Sequence, residues 1–359
     1  MPTALDKVVD DLNKRLGSVQ IARASQAFGL GYKRLSTGVL GLDIICGANS
    51  ETEWGIPTGR VTEIWGRDGS GKTTVALKVI KSAQDKGFCG AFISLENSWD
   101  SSWARRLGVD VTNLIIARVA SSEDAESILY TLAQTPGVGV VVVDSLAMLT
   151  SASELATDFR EKNQQPGVQA KAVNRTMRHI SAGFNAWDIT DPTSLEQQPA
   201  IILLNQLREK IGAYGNPEYS PGGKGKDHQA SIRIQMSQGE ILRRSKDNKS
   251  SPAYATTLKA RTNKNKVWPG FQSVEFLLYV RNVTTKGREM AIGTVDELDQ
   301  LFLLGLNFGL ITKRGSMYEY EQINARGKVD FVNQLNEFNA ERIQLREEIL
   351  GAAWEKKGL

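Results

Sequence analysis

A glycine-rich segment around residue 70 constrains the fold of this chain more than any other sequence feature. Its first eight residues have the spacing G-x-x-x-x-G-K-[ST], and the whole segment comprises Gly66, Arg67, Asp68, Gly69, Ser70, Gly71, Lys72, Thr73 and Thr74. The residues before it favour a strand, and apolar residues at helical spacing follow it. This order is typical of a P-loop, whose backbone N–H groups surround phosphates at a helix N-terminus. The alternative, a glycine-rich turn without function, would not require the complete spacing.

Several polar residues in and near this segment fit the chemistry of a nucleoside triphosphate site. Lys72 would contact the β- and γ-phosphates, and the Thr73 hydroxyl would bind Mg²⁺. A β-branched run at residues 138–143 predicts a strand buried on both faces. Asp144 at its carboxyl end is the expected Walker-B residue, which holds Mg²⁺ through water, and Ser145 follows it in the same predicted site.

Two other polar residues end predicted strands near the P-loop. Glu96 follows an apolar run and could polarise the water that attacks the γ-phosphate. A carboxylate placed at the start of a helix explains Glu96 equally well. Gln206 ends the apolar run that begins at Ala200, and a glutamine there could sense the γ-phosphate.

Composition and charge exclude several classes of protein. The formal net charge of +4 allows a nucleic-acid partner without requiring one. Cys46 and Cys89 are too few for a disulfide framework, and with only His179 and His228 a zinc site is not expected. No apolar run approaches the roughly 20 residues of a membrane span, and the polar N-terminus does not resemble a signal peptide. We therefore expect a cytoplasmic protein without a membrane partner.

The sequence divides into three predicted parts. Residues 1–35 contain a capping box of Thr3 and Asp6 before a helix that could pack on a neighbouring subunit or on its own domain. Residues 36–283 hold the P-loop and the strands predicted around it. Residues 284–359 form a small α/β domain. Its final helix has one predicted apolar face, made by Phe338, Leu345, Ile349 and Ala352.

Two polar segments, at residues 154–168 and 207–229, interrupt the predicted core. The first is mixed in charge, and the second is a long Gly/Pro-rich loop with basic and aromatic side chains. Such long loops are usually functional or disordered, and these residue types suit contacts with single-stranded nucleic acid. On the helix between them one face is formed by Lys171, Arg178 and either Asn174 or Arg175. Solvation alone is the usual explanation of such a basic stripe.

These motifs occur in an order that resembles the bacterial-type RecA recombinases. The resemblance runs from residue 35 into the C-terminal domain and includes the P-loop. Its other matching segments are residues 36–44 (STGVLGLDI), 91–96 (AFISLE), 104–110 (ARRLGVD), 142–145 (VVDS), 205–212 (NQLREKIG), 215–223 (GNPEYSPGG) and 264–266 (KNK). We do not expect an unrelated P-loop enzyme to carry all of them.

The resemblance implies an α/β fold with a RecA-like P-loop ATPase core, a mostly parallel central sheet and a small α/β C-terminal domain. The N-terminal helix would pack on a neighbouring subunit of a helical filament on single-stranded DNA, with ATP and Mg²⁺ between subunits. Glu96 would orient the attacking water, and Gln206 would link the γ-phosphate to the loop after it. The other implied nucleotide contacts are Asp100 and Trp103 at the adenine and, from the neighbouring subunit, Lys264 and Lys266.

The same resemblance identifies both polar segments as DNA-binding loops. The implied DNA contacts are Lys171, Asn174, Arg178, Arg208, Gly222, Gly223 and Lys224. The first loop matches the family poorly, and the chain lacks the acidic tail typical of bacterial members. The missing tail suggests a phage, plasmid or divergent homologue.

We therefore predict a DNA-dependent ATPase of homologous recombination and DNA repair that exchanges single-stranded DNA with homologous duplex. One alternative is a ring-forming helicase or motor on the same core, against which the two-lysine turn argues. The other is an accessory filament protein that binds ATP and DNA without recombining them. The presence of Lys72, Glu96 and Asp144 argues against that second alternative.

Overall fold

A computed structural model gives the fold of the chain. It describes residues 3–17, 21–27, 33–96, 98–149, 168–209, 218–244, 250–270, 272–285 and 287–356. The predicted first DNA loop at residues 154–168 therefore lies outside the described residues, apart from the backbone of residue 168. Residues 210–217 of the predicted second loop lie outside them as well.

The described strands, in chain order, are β1 Arg34–Leu35, β2 Ile56–Pro57, β3 Val61–Gly66, β4 Cys89–Ser94, β5 Leu114–Arg118, β6 Val138–Asp144, β7 Ala200–Gln206, β8 Arg208–Glu209, β9 Glu218–Tyr219, β10 Ile232–Arg243, β11 Ala253–Asn265, β12 Ser273–Tyr279, β13 Val283–Thr285, β14 Arg288–Met290, β15 Thr312–Arg314, β16 Met317–Tyr320 and β17 Ile323–Arg326. The described α-helices are α1 Ala4–Leu16, α2 Leu40–Cys46, α3 Lys72–Asp85, α4 Ser101–Arg106, α5 Ser122–Ala133, α6 Val168–Phe184, α7 Pro192–Glu196, α8 Gly223–Gln229, α9 Glu297–Asn307, α10 Lys328–Glu337 and α11 Asn339–Glu355.

An eight-stranded sheet in the order β12-β11-β10-β3-β7-β6-β4-β5 forms the centre of the molecule. Its strands from β10 to β5 are parallel, and β11 and β12 continue the sheet in antiparallel pairing. The predicted α/β class with a mostly parallel sheet is confirmed. Because β3, β4, β6 and β7 run in one direction, their carboxyl ends meet at one edge, where ligands of such sheets bind.

Apolar side chains bury both faces of this sheet. On one face Ile64 and Val142 pack with Val75 and Val79 of α3. On the other face Val141 belongs to the cluster that contains residues of α5 and α6. Strands covered on both sides need almost continuous apolar sequence, which is why these strands are visible in the sequence.

The N-terminal helix α1 has an apolar face that the rest of the described chain leaves uncovered. Thr3 and Asp6 form the predicted capping box, and no residue of α1 is buried. Leu5, Val8 and Leu16 are 56%, 53% and 50% exposed. The uncovered face is the structural feature that the interpretation as a subunit contact requires.

The C-terminal region packs against the sheet through tryptophans of the core. Trp54 and Trp268 share an apolar cluster with the C-terminal elements, and their rings lie 5.3 Å apart, edge to face. The predicted face of the final helix is partly wrong. Leu345 and Ile349 are buried, whereas Phe338 precedes the helix and is exposed, and the last turn buries Ala353 instead of Ala352.

The prediction of one continuous loop over residues 207–229 is also wrong. Within its described part, β8 pairs with β9 and residues 223–229 form α8. Glycines make this helix unfavourable by propensity. Tertiary contacts offset this propensity, because lysine side chains bind the carbonyls of its last turn and a buried ion pair holds Lys226. The short helix α2, which buries all seven of its residues, was not predicted either.

Candidate nucleotide-binding cleft

A cleft of about 440 Å³ opens at the carboxyl edge of the central sheet. The predicted site residues that line it are Asp68, Gly69, Gly71, Lys72, Thr73, Thr74, Glu96, Trp103, Asp144, Ser145 and Gln206. Sequence reasoning missed Ser98 and the wall made by Gln238, Ile241, Arg243, Ala253, Thr256, Leu278 and Val280. This wall comes from β10, β11, β12 and the residue after β12, and none of its residues belongs to a motif. Only the sheet topology brings these strands beside the P-loop.

The P-loop has the tight backbone that its glycines predict. Gly71 adopts a φ of 83°, and a Cβ atom there would lie 2.5 Å from Leu258 Cδ1, so only glycine fits. Lys72 Nζ donates hydrogen bonds to the carbonyls of Gly66 at 3.0 Å and Arg67 at 2.9 Å. Burial lowers the pKa of Lys72. Ser70 Oγ is buried without a hydrogen-bond partner among the described residues, which leaves a free hydroxyl inside the loop.

The two predicted Mg²⁺ contacts lie side by side. Thr73 Oγ1 donates to Asp144 Oδ2 at 3.4 Å, and the Ser98 hydroxyl donates to the same oxygen at 2.9 Å. Burial raises the pKa of Asp144, the Ser98 hydrogen bond opposes that rise, and the nearby Glu96 charge adds to it. Among the described residues no group of three or more His, Cys, Asp or Glu could hold a metal ion. A hydroxyl and one carboxylate fit Mg²⁺, which keeps most of its water and binds phosphate oxygens.

Glu96 and Gln206 are in direct contact at the ends of β4 and β7. Gln206 Nε2 donates to Glu96 Oε1 at 3.1 Å, and the Ser145 hydroxyl donates to the same oxygen. The following helix α4 is capped by Asp100, which accepts from the backbone N–H groups of residues 102 and 103. Glu96 is therefore not the capping carboxylate of this helix. Its oxygen faces the cleft together with the proposed sensor.

The two predicted adenine contacts are placed differently. Trp103 is half-buried and lines the cleft. Asp100 is exposed and does not line the cleft, because its carboxylate is used to cap α4 at 2.8 and 3.1 Å. The capping bonds hold the start of the helix that carries Trp103.

Lys264 and Lys266 lie at the opposite edge of the sheet from the cleft of the same chain. Lys264 is paired with Arg233 near the start of β10, whereas the P-loop follows the end of β3. Both lysines donate to the His228 carbonyl, at 2.9 Å and 2.7 Å. Burial, together with the charges of Lys266 and Arg233, lowers the pKa of Lys264 to about 8. These side chains face away from their own cleft.

The residues of the basic stripe on α6 do not share one environment. Lys171 and Arg178 are exposed. Arg175 instead donates to Glu126 at 2.9 Å and Glu123 at 2.7 Å, and so joins α6 to α5. Of the stripe, Lys171 and Arg178 therefore have their charged groups exposed to solvent.

Asn174, also predicted as a DNA contact, faces a neighbouring helix. It is half-buried, and its unpartnered Oδ1 would lie 1.8 Å from a Cβ atom at Gly225 of α8. Glycine is needed there because α6 and α8 approach closely.

The remaining predicted DNA contacts frame α8 and the short ladder before it. Arg208 is exposed on β8, Gly222 precedes α8, and Gly223 and Lys224 begin it. A hollow of about 370 Å³, lined by Gly66, Arg67, Asp68, Gln206 and Leu207, lies where the P-loop meets the start of this segment. The segment thus begins directly at the proposed sensor Gln206.

Comparison with known proteins gives consistent matches along the chain. The family described as RecA N-terminal domain matches residues 3–284. Protein RecA of Chlorobium chlorochromatii is 36% identical over 319 residues, which cover 88% of this chain and 81% of that relative. Protein RecA of Chlorobium limicola is 34% identical over 357 residues, 97% of this chain and 92% of the relative. Protein RecA of Symbiobacterium thermophilum is 32% identical over 360 residues, 98% of this chain and 93% of the relative.

In the part of the chain that the structure describes, no helix combines the length and apolar character needed to cross a bilayer.

Proposed function

The chain belongs to the RecA family, and from this membership we propose that it forms helical filaments on single-stranded DNA with ATP bound between subunits. Proteins of this family are DNA-dependent ATPases of homologous recombination and DNA repair. The RecA-type ATPase and recombinase predicted from the sequence is confirmed at that level. From the same family membership we propose that the protein acts in the cytoplasm.

ATP and Mg²⁺ are the proposed cofactors of the cleft. The P-loop amides and Lys72 would hold the phosphates, and Thr73 and Asp144 would hold the metal ion. The bound ion would neutralise charge on the β- and γ-phosphate oxygens. The adjacent hydroxyl and carboxylate oxygens support this assignment, as does the free Ser70 hydroxyl inside the loop.

The contact between Glu96 and Gln206 is the observation that carries the mechanism. Glu96 is proposed to orient a water molecule for attack on the γ-phosphate and to accept its proton. Gln206 reaches the same carboxylate from the strand that leads into the second predicted DNA loop. A phosphate beside Gln206 would compete for its amide, so the occupancy of the cleft would be transmitted to residue 207 onward.

Two features support a nucleotide site that is completed by a neighbouring subunit. The apolar face of α1 is uncovered, and burial of its three exposed side chains would favour association. Lys264 and Lys266 lie at the sheet edge opposite their own cleft. A head-to-tail arrangement of subunits would bring them to the next cleft, and such an arrangement produces open helical filaments when its rotation does not close.

DNA is the proposed polynucleotide partner, first as a single strand and then as homologous duplex. Lys171 and Arg178 on α6 and Arg208 in the second predicted loop are exposed cations. Cations of this kind bind phosphates without reading bases, so DNA binding should be insensitive to sequence and strongly dependent on salt. Base pairing between strands would supply the test of homology.

Hydrolysis of ATP with and without single-stranded DNA tests this function. We expect DNA to stimulate phosphate release by the wild type and not by the Glu96→Gln variant, together with pairing of a labelled strand with homologous duplex. An accessory protein would bind both ligands and pair no strands. A helicase-type motor would separate duplex strands in one direction, and either result would replace the recombinase.

A further inference from the structure

A lysine within the second predicted DNA loop is buried. Lys226 of α8 is only 1% exposed, although lysine is almost never fully buried without a partner. Its Nζ lies 2.9 Å from Glu63 Oε1 and 2.8 Å from Asp227 Oδ1, and it donates to Ser220 Oγ at 3.0 Å. These contacts satisfy all three donors of the ammonium group.

Glu63 is equally buried and lies on β3, just before the P-loop. It is 1% exposed, and it accepts a hydrogen bond from Arg233 Nε at 2.6 Å. Arg233 also contacts Asp227 at 3.0 Å. The four side chains, two acidic and two basic, form a neutral group that we call the ion cluster, and it consists of Glu63, Lys226, Asp227 and Arg233.

The ion cluster also binds the residue beside the proposed sensor. Asn205 Nδ2 lies within hydrogen-bond distance of three oxygens, Glu63 Oε1 at 3.0 Å, Ser220 Oγ at 2.8 Å and the Pro221 carbonyl at 2.9 Å. The next residue is Gln206, whose amide nitrogen contacts Glu96. A shift of this part of β7 would therefore disturb bonds to both the strand before the P-loop and the chain before α8.

The surroundings of Glu63 favour its charged carboxylate despite burial. Burial alone would raise the pKa of Glu63, but the charges of Lys226 and Arg233 and hydrogen bonds from Ser220 and Asn205 outweigh it and lower that pKa. The cluster thus links β3, β10 and α8 by charged contacts, of which the pair of Glu63 and Lys226 is buried, and Asn205 joins β7 to it. Such contacts depend strongly on distance, because the local dielectric constant is low.

We propose that Glu63 and Lys226 are positioning residues that couple the nucleotide state of the cleft to the DNA affinity of the segment ending in α8. The inference rests on the function proposed above. Besides the contact of Gln206 with Glu96, it adds a second connection between the cleft and α8, which runs through Glu63 on β3 and Lys226.

The competing explanation is that the cluster only stabilises the fold. Removal of one member of a buried ion pair destabilises strongly, whereas replacement of both partners is often nearly neutral. Stability alone therefore does not distinguish the two roles. The ratio of DNA affinities in two nucleotide states does, because a structural defect lowers both affinities together.

The experiment measures the affinity of the full-length protein for a fluorescent oligodeoxythymidine by anisotropy, with a non-hydrolysable ATP analogue and with ADP. The variants are Lys226→Met and the double variant Glu63→Gln, Lys226→Met, which leaves Arg233 paired with Asp227. Lys81→Met is the matched control, since Lys81 forms an exposed pair with Asp85 at 2.6 Å. Thermal unfolding and nucleotide affinity are measured for each protein.

The ratio of the DNA affinities with the ATP analogue and with ADP should fall about tenfold or more in both cluster variants, which is the usual size of such coupling. The double variant should unfold near the wild-type temperature, and the Lys81→Met ratio should not change. A wild-type ratio in the folded double variant, or equal loss of affinity in both nucleotide states, would overturn the inference. A wild-type protein without any nucleotide-dependent DNA affinity would instead overturn the proposed function itself.

Discussion

The candidate nucleotide cleft and the proposed DNA-binding segment around α8 hold their residues by different means. In the cleft, backbone geometry dominates, with a glycine at φ 83° and polar side chains at the ends of adjacent parallel strands. In the proposed DNA-binding segment a short glycine-rich helix is held by the ion cluster and by lysines at its last carbonyls.

This difference explains how each region responds to change. A P-loop is fixed by local spacing, so its geometry depends little on distant residues. The position of α8 depends on side chains from β3, β7, β10 and β11, and is therefore sensitive to movements anywhere in that set. A segment held in this way, like α8, is suited to changing its affinity for DNA, because its side-chain contacts can rearrange while the sheet stays intact.

The largest expected effect lies in the cleft. Glu96→Gln should lower DNA-stimulated ATP hydrolysis by about 10²- to 10⁴-fold, the usual contribution of a positioned general base. ATP affinity should stay near that of the wild type, because the amide keeps the hydrogen bond with Gln206. Steady-state phosphate release and nucleotide binding measure the two quantities. Glu297→Gln, at an exposed glutamate, is the control, and equal activity of both variants would remove Glu96 from the mechanism.

The next effect concerns assembly through α1. The double variant Leu5→Glu, Val8→Glu should weaken filament formation by about 10²-fold, since burial of two such side chains contributes about 3 kcal/mol. Its monomer should unfold at the wild-type temperature because both positions are exposed. Light scattering with single-stranded DNA and an ATP analogue measures assembly. The control, Lys7→Gln with Lys14→Gln, makes the same charge change on the opposite face, and normal assembly of the glutamate variant would exclude α1 as a contact.

A smaller effect is expected from pH at the neighbour-facing lysines. The lowered pKa of Lys264, about 8, means that its charge is lost as pH rises through that value. If the charged amine holds phosphate, nucleotide-dependent assembly should weaken by up to about tenfold per pH unit above 8. Lys264→Arg keeps its charge throughout this range and should show a flat profile. An identical decline in both proteins between pH 7.5 and 9.5 would assign the decline to another group.

The smallest effects separate two cations on α6. Lys171→Ala should lower DNA affinity only a few-fold and reduce the salt slope by about one. Arg175→Ala should leave DNA affinity unchanged but lower the free energy of unfolding by about 1–3 kcal/mol, because it removes the ion-pair partner of the buried Glu126. Salt-dependent anisotropy and denaturant unfolding measure both. The reverse pattern would place Arg175 on the DNA side of α6.

The sequence predicts the cleft well for a physical reason. Phosphate binding needs glycines and a lysine at fixed short spacing, and buried parallel strands need long apolar runs. The wall from β10 to β12 was not predicted because only the sheet order brings these distant strands to the P-loop. Ser98 follows Glu96 by two residues and was missed because it belongs to no motif.

The proposed DNA-binding segment around α8 is less predictable from the sequence. Glycines and lysines over residues 222–229 indicate a loop, and the helix there depends on the distant Glu63 and Lys264. One signal was available, since Glu63 is the one charged residue of a strand that is buried throughout. A buried charge of this kind requires a partner of opposite sign, although the sequence does not say which one.

Electron cryomicroscopy of the protein on single-stranded DNA with a slowly hydrolysed ATP analogue tests the central claim most directly. The claim is that a nucleotide bound at the interface between subunits controls the affinity for DNA. The predicted result is an open helical filament in which Lys264 and Lys266 of one subunit reach the phosphates in the cleft of the next. Closed rings, or a filament whose nucleotide faces solvent far from any neighbouring subunit, would contradict it.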